Sequence, residues 1–218
     1  MKNNGRWKKI VKTLFARKVA MVSAVVVVLF IAVAILAPVI SPYDPNYADF
    51  ASFLQGPGSA HLLGTDNYLR DVLSRIIYGT RVSLIIGVFA VMIACIIGTF
   101  FGMIAGYFGG IVDDVINRIM EAIRAIPQII LAMALTAVFG SGIRNLAIIL
   151  GISSMAGYVR MMRGQVLTIK QADYIMAGKL QGNKNFRLMF KHILPNSISP
   201  IIVMMTQQVG QTILAEAG

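Results

Sequence analysis

Of the 218 residues, 57% are hydrophobic and only 13% charged, against about 45–50% and roughly 25% in ordinary soluble domains, which argues against a soluble enzyme. The net charge is +11, from 20 Lys and Arg against 9 Asp and Glu. The basic residues flank apolar runs of about 20 residues and carry no nucleic-acid motif, so the pattern is that of a membrane protein and not of a nucleic-acid binder.

The chain opens with Lys2, Arg6, Lys8, Lys9, Lys12, Arg17 and Lys18, and residues 1–18 read as a basic cytoplasmic N-terminus. The apolar stretch 19–40 exceeds a signal-peptide core and reads as a retained first transmembrane helix. Pro38 and the turn cluster Ser41-Pro42-Tyr43-Asp44-Pro45-Asn46 end it. Residues 41–81 form a polar loop carrying Asp44, Asp49, Asp66 and Asp71 and few cations, placed on the extracytoplasmic side.

Residues 82–218 read as the main transmembrane domain. Its first span, 82–107, carries Gly98, Gly102 and Gly106 on one face. Such a small-residue stripe favours close packing within the subunit over a special dimer contact. Gly109-Gly110 is a turn, after which Asp113, Asp114, Asn117, Arg118, Glu121 and Arg124 recur at helical spacing. Charges at the start of a span should face the interface, water or other subunits. The next span is 123–139, with Pro127 tolerated near its start. Glu121 is then near an inner end, and no acid lies at mid-depth. Gly140-Ser141-Gly142 makes an outer turn; spans 145–159 and 197–215 follow, separated by a basic cytoplasmic loop, 160–196. Backbone groups in lipid bond within their own segment, so the fold class is an all-α polytopic bundle of about five spans.

Cys95 lies mid-run and reads as a small packed hydrophobe. His61 and His192 fall in opposite loops and read as surface residues, with no metal site expected. There is no phosphate-binding G-x-x-x-x-G-K-[ST] loop and no catalytic constellation. The chain is therefore expected to be no enzyme and to hold no cofactor; ATP, if it drives the protein, is used by another chain.

The loop 160–196 is longer than a link requires, and long loops tend to be functional. Residues 170–181 contain helix formers and stop at Gly182-Asn183. Ala172, Ala177 and Gly178 are small enough to let a partner close around the backbone, while Tyr174, Ile175 and Leu180 supply apolar knobs. Phe186, Met189, Phe190 and Ile193 line one face of a second helix. Asn196 or Ser197 is able to cap the last span. The expected element is a helix–turn–helix across the inner mouth of the bundle.

This loop resembles the "EAA" motif of bacterial ABC importer permeases, through Met176-Ala177-Gly178, Gly182 and Leu194-Pro195, with Tyr158, Arg160, Arg163-Gly164-Gln165-Val166-Leu167, Asp173, Tyr174 and His192-Ile193-Leu194-Pro195-Asn196 around it. A second stretch, His61-Leu62-Leu63-Gly64-Thr65-Asp66-Asn67, Arg70-Asp71, Ser74-Arg75, Tyr78-Gly79 and Arg81-Val82-Ser83-Leu84, resembles the outer segment of the dipeptide/oligopeptide/nickel C-type subfamily. Met176 stands where the family has Glu, Gly178 where it has Ala, and Leu69 where it has Gly; Leu69 is strained if φ is positive there. The resemblance implies a type I ABC permease in the bacterial inner membrane, part of a path for dipeptides, oligopeptides or nickel. It implies a second permease subunit, two ABC ATPase subunits and an extracytoplasmic solute-binding protein as partners, besides the lipid bilayer. It assigns ATPase coupling to Asp173, Tyr174, Met176, Ala177, Gly178, Gly182, Leu194 and Pro195, and the outer motif to Gly64, Thr65, Asp66, Arg70, Asp71, Ser74 and Arg75. The family also has a sixth span, so a truncated subunit is expected. The alternatives are a non-transporting membrane scaffold, or an ion-driven carrier, which would want acids at mid-depth.

Overall fold

The computed structural model describes residues 17–50, 53–140 and 142–217. The expected N-terminal stretch lies outside them except for Arg17 and Lys18, as does Ser141 of the outer turn. Among the described residues there are four helices long and apolar enough to cross a bilayer, or five if one bent pair counts as a single span. The chain divides into two compact units, residues 1–84 and 85–218.

In the first unit, α1 (Lys18–Ile40) is a run of β-branched and small residues whose Val25, Val28, Leu29 and Ile35 stand exposed, as a lipid-facing span requires. A structured loop follows, and then α2 (Val72–Phe108). This helix begins well before the expected 82, so 72–81 of the expected loop 41–81 is helical. The reason is a side-chain cap: Asp71 Oδ2 accepts the Ser74 N–H at 2.7 Å and the Ser74 hydroxyl at 2.6 Å. Arg75 and Arg81 made this first stretch read as loop.

In the second unit, the later part of α2 packs on α5 (Ile143–Ile169) along the glycine stripe. A Cβ on Gly98 would lie 2.5 Å from Tyr158 Cβ, one on Gly102 2.4 Å from the Val159 carbonyl oxygen, and one on Gly106 2.8 Å from Val166 Cβ. The stripe therefore serves packing within the subunit, as expected. Helix α5 runs through Arg160 and Arg163 to Ile169, past the expected end at 159, so the first part of the loop 160–196 belongs to this helix.

The expected span 123–139 is instead two helices, α3 (Gly110–Ala125) and α4 (Gln128–Phe139), bent by 89° at Ile126-Pro127. Proline has no N–H and restricts the residue before it to extended backbone, and Ile126 is extended, at φ −94°, ψ 127°. The last span is also different. Helix α7 (Asn185–Arg187), a π-helical stretch Leu188–Ile193 and α8 (Leu194–Ala217) form one continuous element. Asn196 Nδ2 and Ser197 Oγ donate backward to the carbonyls of His192 and Ile193 at 2.6 and 3.0 Å, so neither caps a new helix. The N–H of Leu194 reaches Met189; this wider turn directly precedes Pro195, which has no N–H for a regular ladder.

Candidate functional site

The outer motif folds into a polar knot in the first unit. Gly64 has φ +77°, and a Cβ there would lie 2.3 Å from the Gln55 carbonyl oxygen, so only glycine fits. Thr65 is held by Gln55 through both its N–H (3.0 Å) and its hydroxyl (2.9 Å) and pairs with Asp71 as an isolated antiparallel bridge. Asp66 Oδ1 accepts the N–H groups of Tyr68 and Arg70, and its Oδ2 accepts both Arg70 Nε at 3.0 Å and Nη2 at 2.9 Å, with Arg75 on the same oxygen. Partial burial opposes ionisation of Asp66, but the Arg70 backbone and guanidinium, then Arg75, outweigh it and hold the carboxyl well below its ordinary 3.8. Burial likewise opposes ionisation of Asp71, and the hydrogen bonds from Ser74 and His61 lower it nonetheless.

All seven expected outer-motif residues, Gly64, Thr65, Asp66, Arg70, Asp71, Ser74 and Arg75, thus lie in this knot. Ser74 Oγ also accepts the Tyr43 N–H at 3.0 Å, tying the start of the loop after α1 to the cap. His61 is not the surface residue expected: it is 5% exposed, with Nδ1 2.9 Å from Asp71 Oδ1 and its ring 4.8 Å from that of Tyr43. Sequence spacing gave no sign of this pairing. Leu69 does adopt φ +65°, the left-handed conformation that costs a non-glycine residue.

The second site is the element between α5 and α8. Helix α6 (Asp173–Leu180) covers most of the expected 170–181, and Gly182 follows it at φ +76°. One face of α6 is locked inward. Ile175 is fully buried in a cluster with Val166, Met189 and Ile193. A Cβ on Gly178 would lie 2.9 Å from Leu188 Cδ2. The expectation that Ile175 and Gly178 face a partner is therefore corrected: both face this chain's own core. Further ties run to the end of α2. Lys170 Nζ donates to the Gly106 carbonyl at 2.9 Å, Tyr107 Oη donates to Asn185 Oδ1 at 2.8 Å, and Lys179 Nζ sits 5.4 Å from the Tyr107 ring centre.

The opposite face of α6 is open. Asp173, Met176, Ala177 and Leu180 share it, with Tyr174 at its edge; Leu180 is 90% exposed. Leu194 packs at the margin of the buried cluster, and Pro195 is exposed. A small apolar surface held rigidly between two long helices suits docking of a protein and transmission of its motion.

A third feature was only half legible. Asp113 is buried, and Arg163 grips it with Nε and Nη2, each at 2.5 Å; Asn117 Nδ2 also donates to its Oδ1. The charges on α3 are legible in the sequence, whereas their partner on α5 is not. Glu121 and Arg124 follow on the same helix. Their neighbours Met120 and Ile123 pack with Met155, Ala156 and Val159, inside the stretch 145–159 that holds no charge. These contacts fall in the last residues of that stretch, next to Arg160.

Residues 98–218 match the family described as "Binding-protein-dependent transport system inner membrane component", and residues 5–57 match the "N-terminal TM domain of oligopeptide transport permease C". The chain is 41% identical over 211 residues to the dipeptide transport system permease protein DppC of Alkalihalophilus pseudofirmus, covering 97% of this chain and 69% of that protein. It is 39% identical over 212 residues to the glutathione transport system permease protein GsiD of Pectobacterium atrosepticum, covering 97% and 70%. With the dipeptide permease DppC of Haemophilus influenzae it shares 36% identity over 201 residues, covering 89% and 68%.

Proposed function

Because this chain belongs to the family of binding-protein-dependent transport system inner membrane components, we propose that it is the ABC importer permease subunit that carries small peptides and is driven through α6. In this reading ATP is bound and hydrolysed by two separate ATPase subunits, and no cofactor resides in this chain. A second permease subunit completes the path, and a solute-binding protein delivers cargo to the outer side. The N-terminus and α6 face the cytoplasm, since basic residues flank both.

The observation that carries the reading is the two-sidedness of α6. Its inner face packs into the cluster shared with Val166, Met189 and Ile193, and its Lys179 sits over the Tyr107 ring of α2, while Tyr174, Met176, Ala177 and Leu180 stand exposed. A partner gripping that outer face cannot move without moving the spans. Met176 replaces the family's acidic residue, so apolar contact takes over from charge there, with Asp173 exposed beside it. Peptide cargo is supported by the dipeptide and glutathione permeases among the relatives, none of those named above being a nickel permease. An ion-driven carrier would want an acid at mid-depth; Glu121 instead lies beside the end of the uncharged stretch, 3.7 Å from Arg118, and the family takes its energy otherwise.

Ala177→Trp puts a bulky ring on the exposed face without touching the core. In cells expressing the whole transporter it should abolish peptide uptake while leaving the subunit in the membrane. Uptake at the wild-type rate would refute coupling through α6.

A further inference from the structure

The bent element α3–α4 does not cross as an ordinary span, and its charges need an explanation. Three contacts fix it against α5. Asp113 meets Arg163, Met120 packs with Ala156 and Val159, and Gln128 Nε2 donates to Ser154 Oγ at 3.1 Å. From 113 to 128 the chain covers roughly 22 Å at helical rise, whereas Arg163 and Ser154 are only roughly 13 Å apart along α5, so α3 descends at a steep tilt. The break at Ile126-Pro127 then falls level with Ser154, near the middle of the uncharged stretch 145–159.

At that depth the end of α3 and the start of α4 leave backbone groups outside either helix's ladder, and Pro127 supplies no side-chain cap. Non-helical backbone at membrane depth is tolerated only where it is buried in protein or lines water. Ala125, Ile126 and Pro127 are exposed in this chain.

The side chains of α3 choose between the two. The helix has three faces. Asp113, Met120 and Ile123 face α5. Ile111, Val115 and Ile119 form an exposed apolar stripe, fit for lipid. Asp114, Arg118, Glu121 and Arg124 form a separate exposed stripe, with Arg118 and Glu121 3.7 Å apart. Arg124 stands next to the break and Glu121 one turn before it, and charge within a span is too costly to face lipid and marks a path or a water-filled cavity.

We infer that the stripe Asp114, Arg118, Glu121 and Arg124, together with the break at Ile126-Pro127, lines the aqueous path through the membrane. Both signs of charge lie along it, which matches a cargo that carries an ammonium and a carboxylate together. This assignment rests on the transport reading for its cargo, but not for its water.

The test is thiol accessibility in the assembled transporter with Cys95→Ala as background. Single cysteines go at Glu121, Arg124 and Ala125, and for comparison at Val115 and Ile119, with a small membrane-impermeant thiosulfonate as probe. Positions 121, 124 and 125 should react at least tenfold faster than 115 and 119, and a dipeptide cargo should slow them. Ala125→Cys is mild enough to keep the result readable should loss of either charge prevent assembly. Equal or reversed reactivity overturns the inference, including the case in which a partner subunit buries the stripe. Peptide uptake by the Cys95→Ala transporter is measured alongside; no uptake with a reactive stripe would sink the peptide reading and leave the path standing.

Discussion

Single residues in this chain do two different jobs that look alike in sequence. Gly102 permits contact, since any side chain would enter the space of the Val159 carbonyl and Met162, whereas Gly164 has open space around its missing Cβ. Gly102→Leu should cost about 1–3 kcal/mol through overpacking, and Gly164→Ala should be neutral or stabilising by about 0.5–1 kcal/mol, as expected for Gly in a helix interior. Thermal unfolding in detergent separates them. Asp66 and Asp71 make the outer knot pH-sensitive in one direction. Their folded carboxyls lie below the ordinary 3.8, so the stability they contribute is fully present above that value and is lost as pH falls below it towards the depressed folded values. Limited proteolysis of the outer loop should therefore be unchanged between pH 7 and about pH 5 and rise below about pH 4, a rise that Asp71→Asn should bring on at neutral pH by weakening the cap on α2.

Among elements, the ion pair Asp113–Arg163 joins α3 to α5 on the side where α6 lies. Removing one partner of a fully buried pair costs about 3–5 kcal/mol, but Arg163 is about a third exposed, so roughly half that is expected for Asp113→Ala. A double-mutant cycle with Arg163→Ala should show most of that loss to be shared. The first span, the glycine stripe and the stop at Gly182 were legible because each rests on a local rule: apolar length, small-residue spacing, a positive φ after a helix. Element ends were not. Arg75 and Arg81 hid the start of α2, and Arg160 and Arg163 hid the end of α5, because a long helix extending past the bilayer carries charge without breaking. The apolar run 123–139 read as one span because composition does not register a bend, although Pro127 was in view. Ile175 and Gly178 were placed on the wrong face because the short segment offers little periodicity; the packing of Leu188 and Met189 decides it.

At the scale of the whole molecule, the second unit ties α2 to both flanks of α6, through Lys170 before it and Asn185 after it, and Lys179 of α6 itself sits over the Tyr107 ring. Force applied at α6 reaches the long helices through these packed contacts. The topology follows from the same reading: a cysteine replacing Lys184 should be shielded from an impermeant thiol reagent added outside intact cells, and one replacing Gln55 should react. The most direct measurement is site-specific cross-linking of a photoreactive residue at Met176 or Ala177 in the membrane-embedded transporter. Adducts with an ATPase subunit, absent when the same residue replaces buried Ile175, are predicted. Adducts formed only with lipid or with the solute-binding protein would contradict the account.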